Sequence, residues 1–132
     1  MTADASAIVA AFAPWHEEHD AAAERIDEVS DLVAHAELEA FSVLTRLPPE
    51  LRVPAEVAAE YLGGQFPGAR LVLPSDQRAE LLGRLVDSGV FGGRVYDAVI
   101  GLTAAAHAEP LLSCDRRAAP TYRRLGVDTE LL

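Results

Sequence analysis

The chain has 132 residues, half of them apolar, which suits one domain that buries a core without disulfides or structural metal. Its formal charge is −10, and all 11 basic residues are arginine. The absence of lysine excludes a Walker-A phosphate loop, a Schiff-base lysine and a receiver-type lysine, and the acidity argues against phosphate-backbone binding across the whole surface.

The N-terminal run "MTADASAIVAAFAP" carries an acid where a signal peptide has basic residues, and it is too short to span a membrane. A cytoplasmic location is expected. A truncated first strand ends at Asp4, a helix runs through "SAIVAAF", and a second helix follows Pro14 from His16 to Glu28. Within it, "HEEH" spaces His16 and His19 three apart rather than the four of H-E-x-x-H, so it reads as surface helix. "DLVAHA" is a short strand candidate, and "ELEAFSVLTRL" is a helix stopped by Pro48 and Pro49. Pro54 fits the first turn of "PAEVAAEYLGG", closed by Gly63 and Gly64. The strand "ARLVLP" leads to "SDQRAELLGRLVDSG", with Ser75 as N-cap and Gly89 as stop.

After Gly92-Gly93 a helix "RVYDAVIGLTAAAH" begins, in which Asp97 is the only carboxylate. No G-x-G-x-x-G is present, so the glycines mark a turn and not a dinucleotide site. Asp97 shares a helix face with Ile100, Gly101 and Ala104, which leads its charge toward the core. It either complements the helix dipole or converges with other acids on a metal. The strand "PLLSC" follows, with Cys114 read as a buried strand residue, then a basic helix "RRAAPTYRRLG" and a terminal strand near Val127. His35 and His107 sit alone in apolar runs and read as core or boundary residues, and Trp15, Phe41, Tyr61 and Phe66 read as core or interface residues rather than an RNA-stacking platform.

Strands alternating with helices predict an α/β fold with a parallel sheet flanked by helices. Sites in such folds form at the carboxyl ends of strands, where this map brings Asp4, Glu39, Asp97 and Asp115 from distant segments. Clustered carboxylates repel one another, so a divalent cation is the natural neutraliser. Oxygen ligands favour Mg²⁺ or Mn²⁺. Each acid also has an ordinary reading as cap, helix-start complement or solvated surface.

In order and spacing, "DASAIVAAF", "ELEAFSVLTRLP", "GGRVYDAVIGLTAAAH" and "LLSCDRRAAPTYRRLGV" resemble PIN domains, specifically the VapC toxins of bacterial toxin–antitoxin pairs. The resemblance implies one PIN domain over residues 1–132, a three-layer fold with a five-stranded parallel sheet, and metal-dependent RNA cleavage. Carried over by position, the acidic pocket is Asp4, Glu39, Asp97 and Asp115, with Ser6 and Ser113 as supporting hydroxyls beside the metal. Asp4 and Asp97 are expected to ligate directly, Glu39 and Asp115 directly or through water. Glu37 and Glu39 face different sides of a helix, and the family's spacing to "SVLTRLP" selects Glu39. Only Met1, Thr2 and Ala3 precede Asp4, which implies a very short first strand or a misplaced start. The four side chains are expected within a few ångströms of a common centre even without metal.

The implied reaction is phosphodiester hydrolysis assisted by one or two Mg²⁺ ions. Arg116 and Arg117, with Arg123 and Arg124, are candidates to guide RNA or to meet a partner's acids. The resemblance further implies a homodimer and a VapB-like antitoxin whose C-terminal segment covers the groove, with residues 53–66 as a contact candidate. The competing reading is a PIN-like module that binds protein or RNA without catalysis.

Overall fold

The computed structural model describes residues 1–132, and its short strands alternate with helices. In chain order they are β1 (Thr2–Ala3), α1 (Ala5–Phe12), α2 (His19–Ile26), β2 (Leu32–Val33), α3 (Ala34–Thr45), α4 (Ala55–Gln65), β3 (Arg70–Leu71), α5 (Ser75–Asp87), α6 (Arg94–Ala106), β4 (Leu111–Ser113), α7 (Ala119–Arg124) and β5 (Thr129–Leu131). No helix is long and apolar enough to cross a membrane.

All strand pairings are parallel, with β1 and β5 flanking β4 and with β2 beside β3. The expected five-stranded sheet is therefore five parallel strands in two hydrogen-bonded groups. The join falls between β1 and β2, where Val33 N–H donates to the Thr2 side-chain oxygen at 3.2 Å. A buried hydroxyl there takes the bond that a backbone carbonyl would accept in a continuous ladder. The register Ala3 to Leu112, with Asp4 N–H donating to Leu112 O at 3.0 Å, fixes Asp4 beside the end of β4.

The core explains why these strands are apolar. Ile8, Leu32, Val33, Leu44, Ile100, Leu111, Leu112, Phe66 and Tyr122 are fully buried, packed between the sheet and the helices on either side. Each large aliphatic side chain removed from water contributes about 1.5–3 kcal/mol. Helix α6 buries Ala98, Ile100, Gly101, Leu102, Thr103 and Ala104, so nearly its whole length past Asp97 is interior. Its entry follows Gly92 at φ +63, a left-handed turn that suits glycine.

Several boundaries differ from the sequence reading. "DLVAHA" is strand only at Leu32–Val33; from Ala34 the alanine-rich segment is helical, which places His35 in the first turn of α3. "ARLVLP" pairs only over Arg70–Leu71, and Val72 is exposed. Helix α4 runs through Gly63 and Gly64 to Gln65, since neither glycine has a crowding neighbour or an unusual backbone. Ser75 is the first helical residue of α5 and makes no cap bond, Pro74 holding the cap position. Gly89 does stop α5, at φ +65. His16 lies in turns before α2, its Nδ1 accepting from Glu18 N–H. Cys114 lies just beyond β4, half-buried, with its thiol pushed up to about 12 by burial and then by the charges of Asp4 and Glu18. Within residues 53–66, Val53, Ala58, Leu62 and Phe66 belong to the core, leaving Val57 exposed.

Candidate active site

Asp4 closes β1 and caps α1, and its carboxylate is almost inaccessible at 3% exposure. Oδ1 accepts from Ser6 Oγ at 2.5 Å and from Ala7 N–H at 3.1 Å. Oδ2 accepts from Ser113 Oγ at 2.5 Å and from the Tyr122 hydroxyl at 3.0 Å. A carboxylate offers about four acceptor positions, so all are engaged by protein donors. Burial pushes this carboxyl above its ordinary pKa, and the four donors pull back against it.

The two serines do a second job. Ser6 Oγ accepts from Cys114 N–H at 2.8 Å, and Ser113 Oγ accepts from Asp115 N–H at 3.0 Å. The loop that carries Asp115 is thus suspended from Asp4 through two hydroxyls. Asp115 Oδ1 in turn accepts from Arg117 N–H at 2.8 Å and Ala118 N–H at 3.4 Å, which turns the chain into α7.

Asp97 lies in the first turn of α6, half-buried, with its carboxyl pushed up to about 6. Burial is the main cause, followed by the charges of Asp115, Glu39 and Asp4, with Arg94 opposing. Glu39, in α3, is also raised by burial; Asp4 and Asp115 add to the rise, while His35 and Arg46 lower it. Carboxylates from three other segments, Asp4, Glu39 and Asp115, therefore bear electrostatically on Asp97. Glu37 points elsewhere, paired with Arg70 at 2.8 Å.

The side chains are less closely gathered than expected, because no three acidic, histidine or cysteine groups converge tightly enough to hold one ion. The physical reason is twofold. Asp4 is turned into its four donors, and the remaining acids, carrying like charge, gain nothing by closer approach. In donor chemistry the set suits a hard divalent cation: oxygen-only, half-buried and short of cations. Taking one up requires side-chain rotation toward a shared point.

Two further residues, Tyr122 and Gly101, organise the pocket, and the sequence assigned neither a role in it. Tyr122 is fully buried, and its ring lies against Gly101, one turn after Asp97; a Cβ at Gly101 would meet Tyr122 Cδ1 at 2.9 Å. The missing side chain at Gly101 lets the ring reach Asp4 beneath Asp97. Its position four residues from Asp97 was visible in the sequence, but the ring that fills the space was not. Burial, and then Asp4 and Asp97, push the Tyr122 phenol far above its usual range, so it remains a donor.

The arginines divide. Arg116 and Arg117 are exposed next to Asp115, Arg117 standing 3.5 Å from its Oδ1. They border a polar cavity of about 300 Å³ with Ser6, His16 and Asp115. Arg123 is exposed, and Arg124 donates to the carbonyls of Ser88 and Gly89 at the end of α5, at 3.3 and 3.5 Å.

Comparison with known proteins identifies the family. The PIN domain family profile matches residues 1–124. The chain is 42% identical over 129 residues to Ribonuclease VapC40 of Mycobacterium tuberculosis, in both strain CDC 1551 / Oshkosh and strain H37Rv, covering 98% of this chain and 96% of the relative. It is 43% identical over 96 residues to Ribonuclease VapC27 of strain H37Rv, covering 73% of this chain and 69% of that one. With an acidic pocket at the strand ends of a parallel α/β fold and a match over nearly its whole length, the chain belongs to the PIN domain family, among its VapC-type members.

Proposed function

We propose that this chain, residues 1–132 acting as one PIN unit, is a Mg²⁺- or Mn²⁺-dependent endoribonuclease of VapC type. The observation that carries the reading is that Glu39 and Asp97, half-buried, are both raised by burial and then by the charges of Asp4 and Asp115 from two other segments. Asp97, Glu39 and Asp115 would hold the cation, with Asp4 joining when one of its donors yields an acceptor position. A bound divalent ion lowers the pKa of its water and offsets charge on the scissile phosphate. Glu39, its pKa raised, accepts a proton from the attacking water or returns one to the leaving oxygen. Ser6 and Ser113 hold Asp4 and the Asp115 loop in register, while Arg116 and Arg117 draw the RNA toward the acids. The test is cleavage of cellular RNA with Mg²⁺ against EDTA, compared with Asp115→Asn.

A cytoplasmic VapB-like antitoxin is the proposed neutralising partner, a C-terminal arginine standing in for the cation's charge. The proposed assembly is a homodimer; exposed Leu82, Val86 and Phe91 at α5 and the following turn offer apolar surface for contact. Light scattering that finds only monomer at all accessible concentrations removes the dimer. One observation favours a second reading, a binding module without catalysis: every acceptor position of Asp4 is already filled. A calorimetric Mn²⁺ titration separates the two, since the module has no need of the ion.

A further inference from the structure

We infer that the stacked rings of His35 and Tyr96 form a platform for one unpaired nucleobase of the RNA, on the rim of the acidic pocket. The inference rests on the nuclease reading and adds to it a substrate subsite. The two rings lie 5.3 Å apart between centroids and 2° from parallel. Tyr96 immediately precedes Asp97 in α6, and His35 precedes Glu39 by one turn of α3. His35 shares a helix face with Glu39 and lies near enough to lower its pKa, and the stack bridges the two helices that present these acids.

Stacked on His35, Tyr96 keeps 54% of its surface exposed, which leaves an aromatic surface open to a ligand. The stack on His35 holds the ring in one orientation, which lowers the entropic cost to a ligand that stacks on it. Arg94, exposed at the start of the same helix and near enough to lower the Asp97 pKa, sets a cation at the acidic pocket for a phosphate. A turn of helix is about 5.4 Å, so a base on Tyr96 keeps its own backbone phosphate within reach of the acids. Stacking needs a splayed, single-stranded base, which is how proteins read RNA outside its helices. The ring face accepts any base, with no hydrogen-bond code imposed.

The test uses the full-length chain carrying Glu39→Gln, to slow cleavage, in Mg²⁺. The probe is a single-stranded RNA oligonucleotide bearing 2-aminopurine at one position at a time. Stacking quenches the probe, so quenching at one position is expected, retained in Tyr96→Phe and lost in Tyr96→Ala and Tyr96→Leu. RNA affinity should fall about 5- to 150-fold in the last two, the range of one base–aromatic stack. Mn²⁺ binding, compared in chains that retain Glu39, should be unchanged in all three, showing an intact acidic pocket. Unaltered RNA affinity and quenching in Tyr96→Ala overturns the platform and leaves the stack as protein-docking surface. Equal loss in Tyr96→Phe overturns it too, because the hydroxyl and not the ring would be the contact. Absence of RNA binding in every variant, parent included, sinks the nuclease reading and the platform together.

Discussion

The Tyr122 hydroxyl donates to Asp4 Oδ2 across 3.0 Å while its ring rests against Gly101, one helical turn beyond Asp97. One buried side chain therefore touches the element of each central aspartate. Tyr122→Phe keeps the ring and removes the donor. A hydrogen bond to a charged group contributes about 1.5–3 kcal/mol, so urea unfolding should show a loss of that size. Unchanged stability would mean that Asp4 does not depend on the phenol.

Gly101→Ala tests the same contact from the other side. The new methyl meets Tyr122 Cδ1 and Val127 Cγ2, both at 2.9 Å. Overpacking costs about 1–3 kcal/mol, against a helix-propensity gain of about 1 kcal/mol. The melting temperature should fall as the ring is pushed off Asp4. A raised melting temperature would show that the ring yields freely and does not set the pocket.

Much of this arrangement was legible in the sequence because it rests on local signals. The lone carboxylate at Asp97, leading a helix whose other faces are apolar, marked a charge drawn toward a core. Glycine and proline located most helix ends, Gly89 included. What was not legible depends on tertiary partners. Strands of two or three residues carry too little alternation to be bounded, hence the overlong readings around Leu32 and Leu71. Nothing local announced that Tyr122 would reach Asp4 across 118 positions, or that His35 would stack on Tyr96. The tighter gathering expected of the four acids failed because Asp4 satisfies itself with Ser6, Ala7, Ser113 and Tyr122.

Stability should depend on pH through Asp97. Its carboxyl is raised from 3.8 to about 6 in the fold, so the folded state binds this proton more tightly than the unfolded one. The contribution is fully present below the ordinary pKa and is lost as pH rises through about 6. In EDTA, Asp97→Asn should melt above the parent at pH 7, and the gap should close by pH 4. If the residue only complements the helix dipole, the variant instead loses about 0.3–1 kcal/mol at pH 7.

Cation binding should follow the same protons. A carboxylate must be deprotonated to ligate, so Mn²⁺ affinity should strengthen between pH 5 and pH 7 by calorimetry, with proton release on binding. Asp97→Asn should bind weakly throughout. Equal Mn²⁺ affinity in parent and variant would exclude Asp97 as a ligand.

The central claim, that Asp97 serves a cation-dependent nuclease and not merely its own helix, is tested most directly by a paired measurement on the parent and Asp97→Asn. Each is incubated with total cellular RNA in Mg²⁺, and each is melted in EDTA at pH 7. The account predicts that cleavage by the parent is abolished in the variant while the variant's melting temperature stays level or rises. Undiminished cleavage by Asp97→Asn would contradict it.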